Sequence, residues 1–125
     1  MSFADLHQRG NPLILFNIWD AGSAAAVAGV GAAALATGSA SVAGAWGFDD
    51  GQSMPFDLLL TVVERIVAIS DLPLTVDFEA GYADTVEGVA ANAARLELTG
   101  AKGINLEDGL PPGVASARHR NRPPG

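Results

Sequence analysis

Cysteine is absent from this chain of 125 residues, which excludes disulfides, thiolate metal ligands and thiol nucleophiles. Positive charge is scarce as well. Seven Lys and Arg stand against fourteen Asp and Glu, a formal net charge of −7, and Arg118, Arg120 and Arg122 crowd into the last few positions. Nucleic acid is thereby excluded as the main partner, because phosphate recognition needs clustered basic side chains. An anionic small molecule is not excluded, since a bound cation can set the local sign. Residues 23–45 carry no charge, but they are mostly Ala, Gly, Ser and Thr with few Leu, Ile or Phe, and glycines interrupt them. A membrane span needs a stronger apolar run, so a buried helix followed by a buried strand is expected there. The opening residues, MSFADLHQRG, lack the basic-then-apolar layout of a signal peptide. With no cysteine and no leader pattern, the expected location is cytoplasmic.

What is present is globular. Hydrophobic residues make up 49% of the chain, much of it alanine, enough for one ordinary domain with a core of small side chains. A short helix is expected over Ser2–Arg9, closed by Gly10. Leu13–Ile18 is a continuous apolar run, the pattern of a strand covered on both faces. Ser23 is a fair N-cap for a helix over Ala24–Val30. Gly29-Val-Gly31-Ala-Ala-Ala34 matches a loose dinucleotide fingerprint but closes a helix instead of opening one, so the match carries no site. Ala32–Thr37 reads as a strand, and Thr37–Gly51 as a long glycine-rich loop of the kind that often serves function. Leu58, Leu59, Val62, Val63, Ile66 and Ile69 recur at helical spacing behind Pro55. Asp84-Thr-Val-Glu87 resembles a capping box opening a further helix, whose stripe is Val86, Val89, Ala90, Ala93 and Leu96 and whose stop is Gly100.

The most informative stretch is Pro73–Asp84, PLTVDFEAGYAD. Strand alternation puts Leu74, Val76 and Phe78 on one face and Thr75, Asp77 and Glu79 on the other. Lys102–Asp108 repeats the design, with Ile104 and Leu106 on one face and Asn105 and Glu107 on the other. If the two strands are parallel neighbours, Asp77, Glu79 and Glu107 meet at one rim. Three carboxylates together repel unless a hard cation sits among them, and oxygen ligands suit Mg²⁺ or Mn²⁺. Strands alternating with helices argue for a parallel α/β sheet, and right-handed crossovers would curl four strands into half a barrel. The residues 1–110 form that unit, and 111–125, rich in Pro and Arg without helical or strand period, read as a disordered tail.

D-F-E-A-G-Y at 77–82 followed by I-N-L-E-D at 104–108, with N-I-W-D-A-G-S-A at 17–24, resembles the isocitrate lyase / phosphoenolpyruvate mutase superfamily. The resemblance runs from about Asn11 to about Pro112. It implies a (β/α)8 TIM-type barrel of which this chain is a truncated half with about four parallel strands, since a complete barrel takes about 250 residues. It also implies Mg²⁺ chemistry on a small 2-oxo or 2-hydroxy acid through an enolate-like state, cleaving or moving a C–C or C–P bond. On matching positions it implies Asp77 and Glu79 as metal ligands, Glu107 as a further member of that set, Gly38 and Ser39 as the holders of the substrate's carboxylate, and Asp50 near the reacting groups. The family's lyases carry a K-x-C-G-H loop, whereas this chain has no cysteine and shows Pro111-Pro112-Gly113 there. A member other than isocitrate lyase is therefore expected. The family's later Arg and His have no counterpart in this sequence, so impaired activity is expected, the alternative being a non-catalytic half barrel that self-associates through open sheet edges. A homo-oligomer is expected on either reading.

Overall fold

In a computed structural model the structure describes residues 2–109. Four strands, β1 (Asn17–Ile18), β2 (Leu35–Thr37), β3 (Leu74–Asp77) and β4 (Gly103–Asn105), form one sheet in the order β1-β2-β3-β4. Every pairing is parallel. Strand order follows chain order, with none of the reversal that gives doubly wound sheets their ligand crevice, so the topology is that of a singly wound, barrel-type sheet. The dinucleotide reading stays excluded: Gly29 closes the helix α1 (Ala21–Gly29), and Gly31, at φ +94°, turns the chain toward β2.

Register explains which side chains face the helices. Ile18 aligns with Thr37, Leu35 with Leu74, and Val76 with Ile104. Ile18, Leu35, Leu74, Val76 and Phe78 are fully buried in one core with Leu59, Val62, Val63 and Ile66 of the helix α3 (Phe56–Ile69) and Leu96 of α4 (Val86–Leu98). Of the helical stripe expected behind Pro55, Leu59, Val62, Val63 and Ile66 are buried, and Ile69 is exposed. The opposite face of the sheet carries Asn17, Ala36, Thr75, Asp77 and Gly103 in register. Phe3 lies over its lower end, close enough that a Cβ on Gly103 would sit 2.8 Å from the ring.

Several elements differ from expectation, each for a local reason. The N-terminal helix is a 3-10 turn, Ala4–Leu6. Only Asn17–Ile18 of the apolar run 13–18 is paired, and Ile14 and Phe16 are 70% and 65% exposed. An edge strand has one partner, and among the described residues nothing covers its other side. The helix α1 is capped by Asp20, whose carboxylate accepts from Ser23 N at 2.7 Å while the Ser23 hydroxyl accepts from Asp20 N at 3.1 Å. Ser23 is thus the third helical residue of a capping box and not the cap. Within the expected loop 37–51 lies a helix, α2 (Ser39–Ala45), whose Val42 and Ala43 are buried. Its Ala-, Gly- and Ser-rich sequence shows no stripe from which periodicity could find it. At the start of α4 the cap is Thr85, whose hydroxyl accepts from Gly88 N at 3.0 Å, one residue later than the Asp84 box predicted. The tail reading for 111–125 lies outside the described residues.

Candidate metal-binding rim

The strand β3 ends at Asp77, at the C-terminal edge of the sheet where barrel chemistry is placed. Its backbone N–H donates to Thr37 Oγ1 at 3.0 Å, which ties the tip of β3 to the tip of β2. Its carboxylate accepts from Ser39 N at 3.2 Å through Oδ2 and from Glu79 N at 3.2 Å through Oδ1. The first of these bonds supplies from a neighbouring strand the cap that α2 lacks, since Gly38 at its N-cap has no side chain to offer. Space at 38 is tight: a Cβ there would stand 3.0 Å from Asn17 Nδ2 and 3.1 Å from Ser41 Oγ, so those side chains would have to give by a few tenths of an ångström.

Glu79 departs from strand geometry. Its φ of +52° lies in the left-handed region, which a residue with a side chain occupies at a cost of about 1–2 kcal/mol. The turn breaks the two-residue alternation and carries the side chain toward the segment between α2 and α3. There Glu79 Oε2 accepts from the Tyr82 hydroxyl at 2.6 Å, and Oε1 accepts from Gly51 N at 3.2 Å. The same Gly51 N–H also reaches Asp50 Oδ1 at 3.0 Å, so one donor serves two carboxylates. Glu79 is 8% exposed, and Asp50 lies within hydrogen-bonding reach of it.

The electrostatics follow. Burial pushes the Glu79 carboxyl above the ordinary glutamate range, the Tyr82 hydrogen bond opposes that, and the charges of Asp50 and Asp77 add to the upward push. Burial, then the hydrogen bond to Glu79, drives the Tyr82 phenol far up, so it remains a donor at any physiological pH. The three acids hold more negative charge than their donors offset. Oxygen-only, anionic donors such as those of Asp77, Glu79 and Asp50 are the chemical type that hard divalent cations such as Mg²⁺ or Mn²⁺ take.

The expected residues are therefore only partly assembled. Asp77, Glu79, Asp50 and Ser39 converge, and Gly38 begins the helix beside them. Thr37, Ser39, Gln52, Asp77, Glu79 and Tyr82 line one small cleft. Glu107 reaches the group through its backbone, donating N–H to Glu79 O at 2.6 Å, while its side chain is exposed. Among the described residues no group of three or more His, Cys, Asp or Glu side chains is placed to hold a metal ion. Strand parity put Asp77, Glu79 and Glu107 together; Asp77 and Glu79 do line one cleft, and the Glu107 side chain is exposed. Sequence pattern alone assigns no role to Tyr82 or Gln52. The available signal was the chain's single tyrosine three positions beyond Glu79.

The phosphoenolpyruvate phosphomutase family matches residues 3–123. An uncharacterized protein of Mycobacterium tuberculosis is 32% identical over 123 residues, covering 94% of this chain and 46% of its own length. The crystal structure of a proposed phosphonomutase from Burkholderia cenocepacia J2315 superposes with a TM-score of 0.84 at 56% identity, covering 86% of this chain and 44% of that one. Phosphonopyruvate hydrolase, solved with oxalate and Mg²⁺, shares the fold with a TM-score of 0.74 at 17% identity. The chain thus spans about half the length of the relatives it matches, and its four parallel strands correspond to half of their (β/α)8 barrel. Sequence match and strand topology agree that this chain belongs to the phosphoenolpyruvate phosphomutase family, within the phosphoenolpyruvate mutase / isocitrate lyase superfamily.

Proposed function

We propose that the rim around Asp77 and Glu79 is the metal-binding half of a Mg²⁺-dependent lyase or mutase site. Its substrate is a small 2-oxo or 2-hydroxy acid whose C–C or C–P bond is broken through an enolate-like state. The observation that carries this reading is the convergence of Asp77, Glu79 and Asp50 at the C-terminal rim of a parallel sheet, with Glu79 buried among like charges.

Each residue has a role in this proposal. Asp77 and Glu79 hold the cation, with Mn²⁺ as a substitute for Mg²⁺. When bound, the cation supplies positive charge against the negative charge that builds up on the substrate's oxygens. Gly38 and Ser39 lie beside Asp77 at the start of α2, where the Gly38 backbone and the Ser39 hydroxyl are proposed to hold the substrate's carboxylate, the Ser39 N–H being donated to Asp77. Asp50, which shares the Gly51 N–H with Glu79, is the acid or base proposed to act nearest the substrate. Glu107, on the neighbouring strand end, adds negative charge to the cation's surroundings from the solvent side. The location proposed with this chemistry is cytoplasmic, and among the described residues no helix is long and apolar enough to cross a membrane.

The test is turnover of a panel of 2-oxo acids, 2-hydroxy diacids and a 2-oxo phosphonate, followed by proton and phosphorus NMR with Mg²⁺ and again with EDTA. The expected result is cleavage or rearrangement of one substrate class that stops with EDTA and in Asp50→Ala. Turnover that persists in EDTA would remove the cation from the proposal.

A second reading rests on a different observation. The outer edges of β1 and β4 have no strand partner among the described residues, and Ile104 and Leu106 at β4 are 43% and 55% exposed. Unpaired parallel edges with apolar side chains favour self-association. On this reading the chain is a non-catalytic half-barrel scaffold that forms homo-oligomers.

A further inference from the structure

The segments that meet at Glu79 are joined by a chain of hydrogen bonds that the proposed chemistry does not use. Gln52 Oε1 accepts from the Tyr82 backbone N–H at 2.8 Å. The Tyr82 hydroxyl donates to Glu79 Oε2 at 2.6 Å. Asn92 of α4 closes the far side, its Nδ2 donating to Gly81 O at 2.9 Å and to Tyr82 O at 3.0 Å. Gln52, Glu79 and Tyr82 are also the three residues other than glycine with positive φ among those described, at +65°, +52° and +55°. Left-handed backbone at three side-chain-bearing positions persists only where surrounding bonds over-determine it. Here each strained residue is bonded to another of the three. The Tyr82 ring is fixed besides by packing, with centroids 5.2 Å from Phe56 and 6.1 Å from Phe78.

We infer that Tyr82 and Gln52 are positioning residues: Gln52 pins the Tyr82 backbone, and the Tyr82 hydroxyl aims the Glu79 carboxylate at Asp77 and Asp50. Without that hydroxyl the Glu79 carboxylate keeps the hydrogen bond from Gly51 N and loses the bond that fixes Oε2. An aimed carboxylate binds a cation without first losing rotamer freedom, so the inference concerns cation affinity more than fold. It rests on the proposed metal reading, whose failure must be separable from its own.

The experiment is titration of the full chain with Mn²⁺ alone, with free Mn²⁺ followed by electron paramagnetic resonance and each variant's melting temperature measured in parallel. Tyr82→Phe keeps the ring and its packing, and Gln52→Met keeps length while removing the acceptor. Both are expected to bind Mn²⁺ about 10–100-fold more weakly, the usual loss when a partner that orients a metal ligand is removed. Gln52→Glu keeps an acceptor oxygen and is expected to bind at least as tightly as the parent. A purely structural role would lower the melting temperature and leave the affinity of the folded protein unchanged. Parent-like affinity in Tyr82→Phe overturns the inference while leaving the metal reading intact. No Mn²⁺ binding by the parent chain overturns the metal reading, and this inference falls with it.

Discussion

Glu79 is held in an unfavourable place: buried, in left-handed backbone, and next to two other acids. Its carboxyl titrates above the ordinary value of 4.5, so the folded state binds this proton more tightly than the unfolded chain does. The sign is set by that difference. Stability from the protonated form is fully present below the unfolded value and is lost as pH rises through the raised folded value. Glu79→Gln removes the charge and keeps the side chain's shape. Its melting temperature in metal-free buffer at pH 7 should lie above the parent's, and the gap should close as pH falls below the ordinary glutamate range. A variant that melts lower than the parent at pH 7 would show that the carboxylate stabilises the fold without a cation. Asp20 has the opposite sign. Bonds from the Ser23 backbone and hydroxyl hold its carboxyl below the ordinary range, so its contribution is present above the unfolded value and lost as pH falls through the lower folded one.

At the level of elements, the rim depends on two short connections. The turn between β3 and α4 passes through Gly81 at φ +92°, where an added Cβ would stand 2.7 Å from the side chain of Val89. Gly81→Ala meets both a disfavoured backbone and a clash with the first turns of α4. It should cost about 1–3 kcal/mol in chemical denaturation. The helix α1 depends on its cap, and Asp20→Ala should cost about 1 kcal/mol, measured the same way. The strongly patterned elements were legible in sequence. The alternation of β3 and the α3 stripe from Leu59 to Ile66 stand where periodicity put them, while Ile69 at the end of that stripe is exposed. What was not legible is specific. The helix α2 is built from Ser, Ala and Gly with no apolar stripe, and Asp77 caps it from another strand, a contact no local pattern encodes. The orientation of Glu79 depends on one backbone angle, so face parity foretold the residue but not where its carboxylate points. Leu13–Phe16 read as a fully covered strand because an apolar run does not reveal whether a neighbouring strand lies on its outer side.

At the scale of the whole sheet, the helix side is packed, and among the described residues β1 and β4 have no strand partner on their outer edges. The helix side buries Ile18, Leu35, Leu74, Val76 and Phe78 in one core. The edges at β1 and β4 are expected to bring copies together, so the mass measured by light scattering should rise with concentration. Leu106→Lys should shift that rise to higher concentration, because a charge on an exposed edge disfavours pairing. A constant monomer mass would oppose the self-associating reading. The central question is whether the rim at Asp77 and Glu79 takes up a divalent cation in this chain. The most direct measurement is thermal unfolding with and without Mg²⁺ plus oxalate, in the parent and in Asp77→Ala. A ligand that binds only the folded state raises the melting temperature, by an amount that grows with its concentration over its Kd. The metal-rim reading requires an upward shift in the parent that needs both Mg²⁺ and oxalate and disappears in Asp77→Ala while that variant still melts cooperatively. A cooperative parent melt with no shift at saturating Mg²⁺ and oxalate would contradict it.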